Sequence, residues 1–325
     1  MIHVDARVDA LERWLAPQLD GAAFTLAPAS EDASFRRYFR ATLEDGRSFI
    51  VMDAPPERED CRPFIHVAGL LHDAGVHAPV VHAQHLAEGF LLLSDLGTKT
   101  YLAALTDATV QPLFADAVAA LLRWQLATRP GGLPPYDDAL LRREMALFPE
   151  WYVRRHLGIE LSATQRAALA DVESLLVASA LAQPTVYVHR DFMPRNLMVS
   201  EPNPGVLDFQ DAVLGPITYD IVSLLRDAFV SWDEERVLDC CVRYWEGAKR
   251  AGLPVAQDFG EFWRAFEWMG LQRHLKVLGI FARIRYRDGK PKYLADTPRF
   301  ISYARAVAGR YGALRPLARL LDEIE

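Results

Sequence analysis

The sequence is poor in cysteine, in positive charge and in long apolar runs. Its three cysteines are Cys61, Cys240 and Cys241. Two are adjacent, which makes a routine structural disulfide awkward, and no Cys-x-x-Cys pair occurs. A disulfide framework and a zinc site are both disfavoured, and a reducing compartment is expected. Lysine and arginine (36) are outnumbered by aspartate and glutamate (43), for a net charge of −7. A nucleic-acid surface usually needs a basic field, so that class is disfavoured, while a locally basic pocket stays open. No apolar run is long enough to span a bilayer. The opening MIHVDARVDALERW lacks a basic segment followed by an apolar one, so no export signal is read. The expectation is a cytoplasmic monomer that acts on a small molecule, with neither nucleic acid nor membrane as partner.

Apolar residues are plentiful. At 51% hydrophobic over 325 residues, there is enough for one large domain or two lobes. Val4, Val8, Leu11 and Leu15 recur at helical spacing and predict an opening amphipathic helix. Asp45-Gly46, between the β-rich runs of SFRRYFRATLEDGRSFIVM, predicts a hairpin. CRPFIHVAGLLHDAGV reads as a helix ended by Gly75. VVHAQHL and FLLLS read as strands around a turn at Glu88-Gly89. From Tyr101 to Leu126 the chain reads as an Ala- and Leu-rich helix, RPGGLPPY as a loop, and residues 137–180 as two further helical stretches. Later strand signals are short: VYV, LMV and GVLDF. From Ile217 onward almost everything reads as helix. The expected fold class is α+β, with a small antiparallel-sheet lobe over 1–93, a connector at 94–97, and a large, mostly helical lobe over 98–325.

One constellation carries chemistry. VYVHRDFMPRNLMV holds His189, Asp191 and Asn196 as His-x-Asp-x-x-x-x-Asn, and GVLDFQD places Asp208 at the end of a short strand. Phosphoryl transfer from a nucleotide needs such a set. An Asp must accept or orient the proton of the acceptor hydroxyl, and a carboxamide and a second carboxylate must hold Mg²⁺ against the phosphates. Alone, the first motif reads equally well as a turn with a solvated Asp. Asp208 at this distance, behind a small N-terminal sheet, weighs against that.

These motifs, with the run DFQDAVLGPITYDIVSLLRDAF, resemble the aminoglycoside phosphotransferase and choline kinase superfamily, over most of the chain. The resemblance implies a protein-kinase-like two-lobe fold, with ATP and Mg²⁺ as cofactors. It implies Asp191 as catalytic base, Asn196 and Asp208 as metal ligands, and His189 as a support for the loop. Tyr219 and Asp220 read as structural, Asp220 as a cap for the helix at Ile221. GFLLLSDLG resembles the interlobe hinge, which implies that the Ser94 carbonyl and the Leu96 N–H pair with adenine. PASEDASFRR would lie over the phosphates with Ser30 and Ser34, although it lacks the Gly-x-Gly-x-x-Gly run of protein kinases.

One departure stands out. The third strand of this fold normally carries a Lys that pairs with the α- and β-phosphates, whereas FIVMDAPP has Met52 there, followed by Asp53. Arg36, Arg37 and Arg40 are the nearby cations. Alternation puts Arg36 and Arg40 on one face and Arg37 on the other, without saying which face is inward. Phosphate binding and plain surface charge are equally open for each. Glu59 is a poor match for the helix-borne Glu of the fold, having no Lys to pair.

The same segments, with QRHLKVLGIFARI, are more similar to one branch, the bacterial anomeric kinases of cell-wall recycling that act on N-acetylmuramate and N-acetylglucosamine. That resemblance implies transfer to the C1 hydroxyl and makes the Met-Asp pair a branch feature. An anomeric hydroxyl is more acidic than an ordinary alcohol, so its base need only orient it and take the proton late. Candidate sugar contacts are Gln210, Asp211, Glu144, Trp151, Arg154 and Arg273. Glu144 and Trp151 share a face if their helix runs through Pro149, and Trp151 reads more readily as core than as a sugar platform. Gln272, Arg273 and Lys276 read more simply as a solvated face, though a cation there could meet a lactyl carboxylate. Two alternatives stay open: an aminoglycoside-type antibiotic phosphotransferase, and a catalytically silent kinase fold, favoured only by the absent Lys.

Overall fold

The computed structural model describes residues 6–30 and 35–324. Helix α1 (Ala6–Gln18) buries Leu11 and Leu15 at the period read from the sequence, while Val4 lies outside the described residues. Next come β1 (Phe24–Ser30), β2 (Arg37–Leu43), β3 (Ser48–Asp53), α2 (Arg62–Asp73), β4 (Val81–His85) and β5 (Phe90–Ser94). The strands form one antiparallel sheet in the order β1-β2-β3-β5-β4. The Asp45-Gly46 turn joins β2 to β3 as expected, and sets Tyr38 opposite Met52 and Arg37 opposite Asp53. Residues directly opposite each other share a face, and successive residues alternate. One face therefore carries Phe39, Ala41, Leu43, Val51, Phe90 and Leu92, packed with Leu11, Leu15 and Leu19. The other carries Tyr38, Arg40, Met52 and Leu91.

Asp53 lies on the α1 face and is fully buried. It accepts from Arg7 Nε of α1 at 3.0 Å and from Arg37 Nε at 2.9 Å. Two guanidinium groups compensate the buried charge, which would otherwise be costly. Asp53 thereby ties the first helix to the sheet. The turn into β5 requires glycine at residue 89. Its φ is +73°, and a Cβ there would fall 1.8 Å from the Ala54 carbonyl oxygen.

The chain continues as α3 (Tyr101–Ala104), α4 (Val110–Leu126), α5 (Asp138–Met145), a π-helix (Phe148–Leu157) and α6 (Ala163–Leu181). Four short strands follow, β6 (Thr185–Val188), β7 (Leu197–Met198), β8 (Gly205–Val206) and β9 (Val213–Pro216). The rest is α7 (Tyr219–Leu225), α8 (Glu234–Arg250), α9 (Phe259–Asp288), α10 (Thr297–Arg310) and α11 (Arg315–Ile324), with short 3₁₀ turns between.

Three elements differ from the sequence expectation. The helix expected over Tyr101–Leu126 is broken, because Thr106 and Thr109 accept from each other's backbone N–H at 2.8 and 3.3 Å. The stretch through Pro149 is not α-helical. Proline has no N–H for the carbonyl four residues back, and the turns there widen to a π-helix. β9 pairs with β6, Val213 opposite Val188, and VLGP has too little alternation to announce a strand. Helix α9 starts where Asp258 accepts from Glu261 N at 2.9 Å and ends at Gly289 with φ +70°. At Gly279 of α9 an added Cβ would stand 2.4 Å from the Leu147 carbonyl carbon, so backbone packs on backbone there. All three cysteines are free and buried. Among the described residues no helix is long and apolar enough to cross a membrane.

By internal contacts the chain divides into two units: residues 1–104 with 196–211, and residues 105–195 with 212–325. The division read from the sequence (1–93, 94–97, 98–325) is continuous, whereas the sheet unit also takes in β7 and β8. Val206 N donates to the His77 carbonyl at 2.7 Å, Asn203 Nδ2 donates to the Tyr101 hydroxyl at 2.8 Å, and Phe64 packs on Phe209 with ring centres 4.7 Å apart.

Candidate active site

In the helical unit the loop after β6 carries the expected base. Asp191 is half-buried. Its backbone N–H donates to His189 Nδ1 at 3.2 Å, and the His189 ring meets Phe192 edge-on at 5.7 Å. His189 thus supports the loop. So does Asp220, by a route the sequence did not suggest. Asp220 lies inside the first turn of α7, behind Thr218, and is no cap for a helix at Ile221. Fully buried, it accepts from the backbone N–H of His189 at 2.7 Å and of Arg190 at 3.0 Å. Burial pushes its pKa up to about 7; the two amides pull it back, Asp191 adds to the rise, and Arg273 opposes it. Arg190 itself has φ +77°, a left-handed conformation that few residues with a side chain adopt. It is held at both ends, its amide by Asp220 and its guanidinium by Glu144.

Glu144 is the centre of a buried charged cluster. It pairs with Arg190, accepts from the Tyr136 hydroxyl, and lies 3.1 Å from Lys276 Nζ. Lys276 also donates to the Tyr219 hydroxyl at 3.0 Å, and Gln272 Nε2 donates to the Tyr136 hydroxyl at 3.4 Å. Burial resists ionisation of Glu144, but Lys276 and Arg190, with help from Tyr136, hold its pKa below the usual carboxylate range. Asp191 is near enough to favour the charged forms of both Arg190 and Lys276. The face of α9 read as solvated is therefore buried, with Gln272 at 0%, Arg273 at 2% and Lys276 at 8% exposure. Arg273 acts on Asp220 and Asp227 from within this core. Trp151 is half-buried in the π-helix and is not among the partners of Glu144, while Arg154 is exposed beside Glu150.

In the sheet unit the other half of the motif assembles. Asn196 is buried, and its Nδ2 donates to Asp208 Oδ2 at 3.2 Å. Asp208 has φ +63°, so this carboxylate also rests on strained backbone of the kind found near chemistry. Gln210 Nε2 donates to Asp208 Oδ1 at 2.9 Å, and its own Oε1 is buried with no hydrogen-bond partner. Asp211 is exposed. Asp208, Asn196 and Gln210 thus offer hard oxygen donors, and an orphaned oxygen lies among them. Such a set fits Mg²⁺, which typically takes few protein ligands and completes its shell with phosphate and water. Among the described residues there is no cluster of three or more His, Cys, Asp or Glu that would form an all-protein metal cage.

On the nucleotide side, Arg36 pairs with Glu59 at 3.2 Å. Ser30 ends β1 opposite Tyr38, and Ser34 lies outside the described residues. Ser94 N donates to the Val80 carbonyl at 3.0 Å, and Ser94 Oγ accepts from Val80 N at 2.9 Å. Leu96 is buried, its Cδ1 2.9 Å from the place a Cβ on Gly205 would take. Between them Asp95, not singled out from the sequence, organises the connector. It accepts from Arg40 Nε at 2.6 Å, Ser48 Oγ at 2.8 Å and Gly97 N at 2.9 Å. Its signal was available in the alternation that put Arg40 on the Tyr38 face.

The sequence matches the phosphotransferase enzyme family over residues 25–259. A Pseudomonas putida protein named N-acetylmuramate/N-acetylglucosamine kinase is 55% identical over 331 residues, covering 99% of this chain and 97% of that protein. A Neisseria meningitidis protein of the same name is 50% identical over 318 residues, covering 97% and 95%. Among solved structures, choline kinase LicA from Streptococcus pneumoniae is similar with a TM-score of 0.65 at 11% identity, over 91% of this chain and 99% of that one. ADP-bound aminoglycoside phosphotransferase APH(2'')-Ib is similar with a TM-score of 0.60 at 13% identity, over 92% and 98%. The structural likenesses speak to the fold, and the five-stranded sheet and helical unit are those of the protein-kinase-like class. The chain belongs to the phosphotransferase enzyme family, as a phosphotransferase with an alcohol group as acceptor.

Proposed function

We propose that this protein is an ATP- and Mg²⁺-dependent sugar kinase that phosphorylates N-acetylmuramate, N-acetylglucosamine or both at the anomeric hydroxyl, giving the sugar 1-phosphate for cell-wall recycling. One observation carries the reading. The base-carboxamide-carboxylate set is intact in a chain that is 50–55% identical, end to end, to proteins named for those two sugars. Asp191, its loop pinned by Asp220, orients the acceptor hydroxyl and takes its proton. Asn196 and Asp208 hold the metal, with Gln210 fixing the Asp208 rotamer. Bound Mg²⁺ would draw the phosphate oxygens together and offset their charge. The backbone of Ser94 and Leu96 meets the adenine edge, and the loop containing Ser30 and Ser34 covers the phosphates. The candidate sugar contacts are Gln210 and Asp211 of the sheet unit and, in the helical unit, Trp151 and the cations that Glu144 holds, with Arg273 supporting from the core of that unit.

The test is ADP release with ATP and Mg²⁺ across N-acetylmuramate, N-acetylglucosamine, kanamycin and choline, with phosphorus NMR of the product. A sugar 1-phosphate is the expected result. Turnover with kanamycin alone would replace the acceptor with an antibiotic, and phosphate at another hydroxyl would overturn the anomeric assignment. Asp191→Ala should lose turnover by orders of magnitude while still binding nucleotide, and wild-type turnover in that variant would remove Asp191 as the base.

A further inference from the structure

Strand β3 has no cation at the position where this fold normally carries lysine. Met52 is fully buried there, between Tyr38 and Leu91 on the neighbouring strands. Two of the three nearby arginines are committed elsewhere. Arg37 is on the α1 face against Asp53, and Arg40 serves the connector through Asp95.

Arg36 differs from both. Residues 36 and 38 lie on one side of extended chain, and Tyr38 is the direct cross-strand neighbour of Met52. Arg36 is also hydrogen-bonded to the Tyr38 side chain. It therefore stands on the Met52 face, one residue before the start of β2. Glu59 Oε2 accepts from its Nε at 3.3 Å and its Nη2 at 3.2 Å, and both side chains are largely buried, at 12% and 17% exposure. Burial works against the Arg36 charge, while Tyr38, Glu59 and the candidate metal ligand Asp208 are close enough to favour it.

We propose that Arg36, held by Glu59, meets the α- and β-phosphates of the nucleotide in place of the strand lysine. The Arg36–Glu59 pair then takes the part that a strand Lys and a helix Glu play in protein kinases. A guanidinium suits the task, since it stays charged and has five N–H donors in a planar fork that matches phosphate. Glu59 engages two of the five. The absent lysine is then a relocation of charge from β3 to the start of β2. This inference rests on the kinase reading above.

Calorimetric titration of ADP and of adenosine into the wild type, Arg36→Met, Arg36→Lys and Glu59→Gln tests it. Arg36→Met should weaken ADP about 10- to 100-fold, the range for a hydrogen bond to a charged group, and leave adenosine unchanged. Glu59→Gln should weaken ADP less, because the arginine keeps its charge and loses its holder. A folded Arg36→Met protein with wild-type ADP affinity would overturn the inference while leaving the kinase reading intact. If Arg36→Met does not fold, Arg36→Lys decides. A several-fold loss confined to ADP supports the fork, and unchanged ADP affinity removes it. A wild type that binds neither ADP nor adenosine would take the kinase reading down first, and this inference with it.

Discussion

Glu144→Gln should destabilise the helical unit more than its small change in shape implies. Glu144 faces two cations, and the three side chains are 7%, 18% and 10% exposed for Glu144, Arg190 and Lys276. At the 3.1 Å separation from Lys276, one ion pair is worth about 5 kcal/mol of Coulomb energy at an effective dielectric near 20. The amide keeps the volume and one acceptor oxygen but leaves Arg190 and Lys276 facing each other with Asp191 as the remaining carboxylate near both. Breaking a buried pair from one side costs about 3–5 kcal/mol, and that is the loss expected in urea unfolding followed by tryptophan fluorescence. Adding Lys276→Met should recover part of it, with a coupling of about 1–3 kcal/mol. The pH dependence has a definite sign. The Glu144 carboxyl is held below its ordinary pKa, so its stabilisation is full above the unfolded value and fades as pH falls through the folded one. The gap between wild type and Glu144→Gln should therefore shrink in acid. A Glu144→Gln protein within 1 kcal/mol of wild type at neutral pH, or additive effects in the double variant, would refute the claim that these charges sustain one another.

Other expectations follow from the same structure. Asp220→Ala leaves the His189 and Arg190 amides without an acceptor, at about 1–3 kcal/mol each. Loss of a fixed loop should lower kcat by about 100-fold with ADP affinity unchanged, and wild-type kcat in a folded variant would contradict the positioning role. Asp220 has its folded pKa raised to about 7 from 3.8, so its contribution is full below the unfolded value and is lost as pH rises through the folded one. Wild-type urea midpoints should fall between about pH 4 and pH 7, and Asp220→Asn should flatten that slope. Gly279→Ala drives a Cβ to 2.4 Å from the Leu147 backbone, and a stability loss of about 1–3 kcal/mol or more is expected from such overpacking. An unchanged unfolding midpoint would mean α9 can shift freely.

Local chemistry was the legible part. Asp45-Gly46, Gly75 and the turn before β5 could be read because glycine and its neighbours dictate the backbone there. The meeting of Asn196 with Asp208 could be read because phosphoryl transfer constrains residue type and spacing together. Alternation was enough to place Arg36 and Arg40 on one face, and the register of Tyr38 against Met52 then decided which one. What escaped depends on distant partners. Lys276 reads as solvated until Glu144 is set against it from 132 positions away, and Asp220 reads as a helix cap until the loop of His189 arrives from 31 away. The π-helix escaped because Pro149 announces only that an α-helix must fail there, and not what replaces it.

The discontinuity of the sheet unit has a consequence for the order in which the protein can be made. When residue 104 leaves the ribosome, the residues of all five strands of the sheet have been made, yet Phe64 has no Phe209 and the His77 carbonyl has no Val206 amide. Domains usually mature from the N-terminal end as they emerge. Here the first lobe must wait, unfinished, through the synthesis of residues 105–195 before residues 196–211 close it. The strand pair that completes the lobe is also the one that follows Asn196 and leads to Asp208. The nascent chain therefore cannot have its two candidate metal ligands until Asp191 and its loop have already been synthesised, and a fragment cut at residue 104 would lack both of them and the strand pair that completes the lobe.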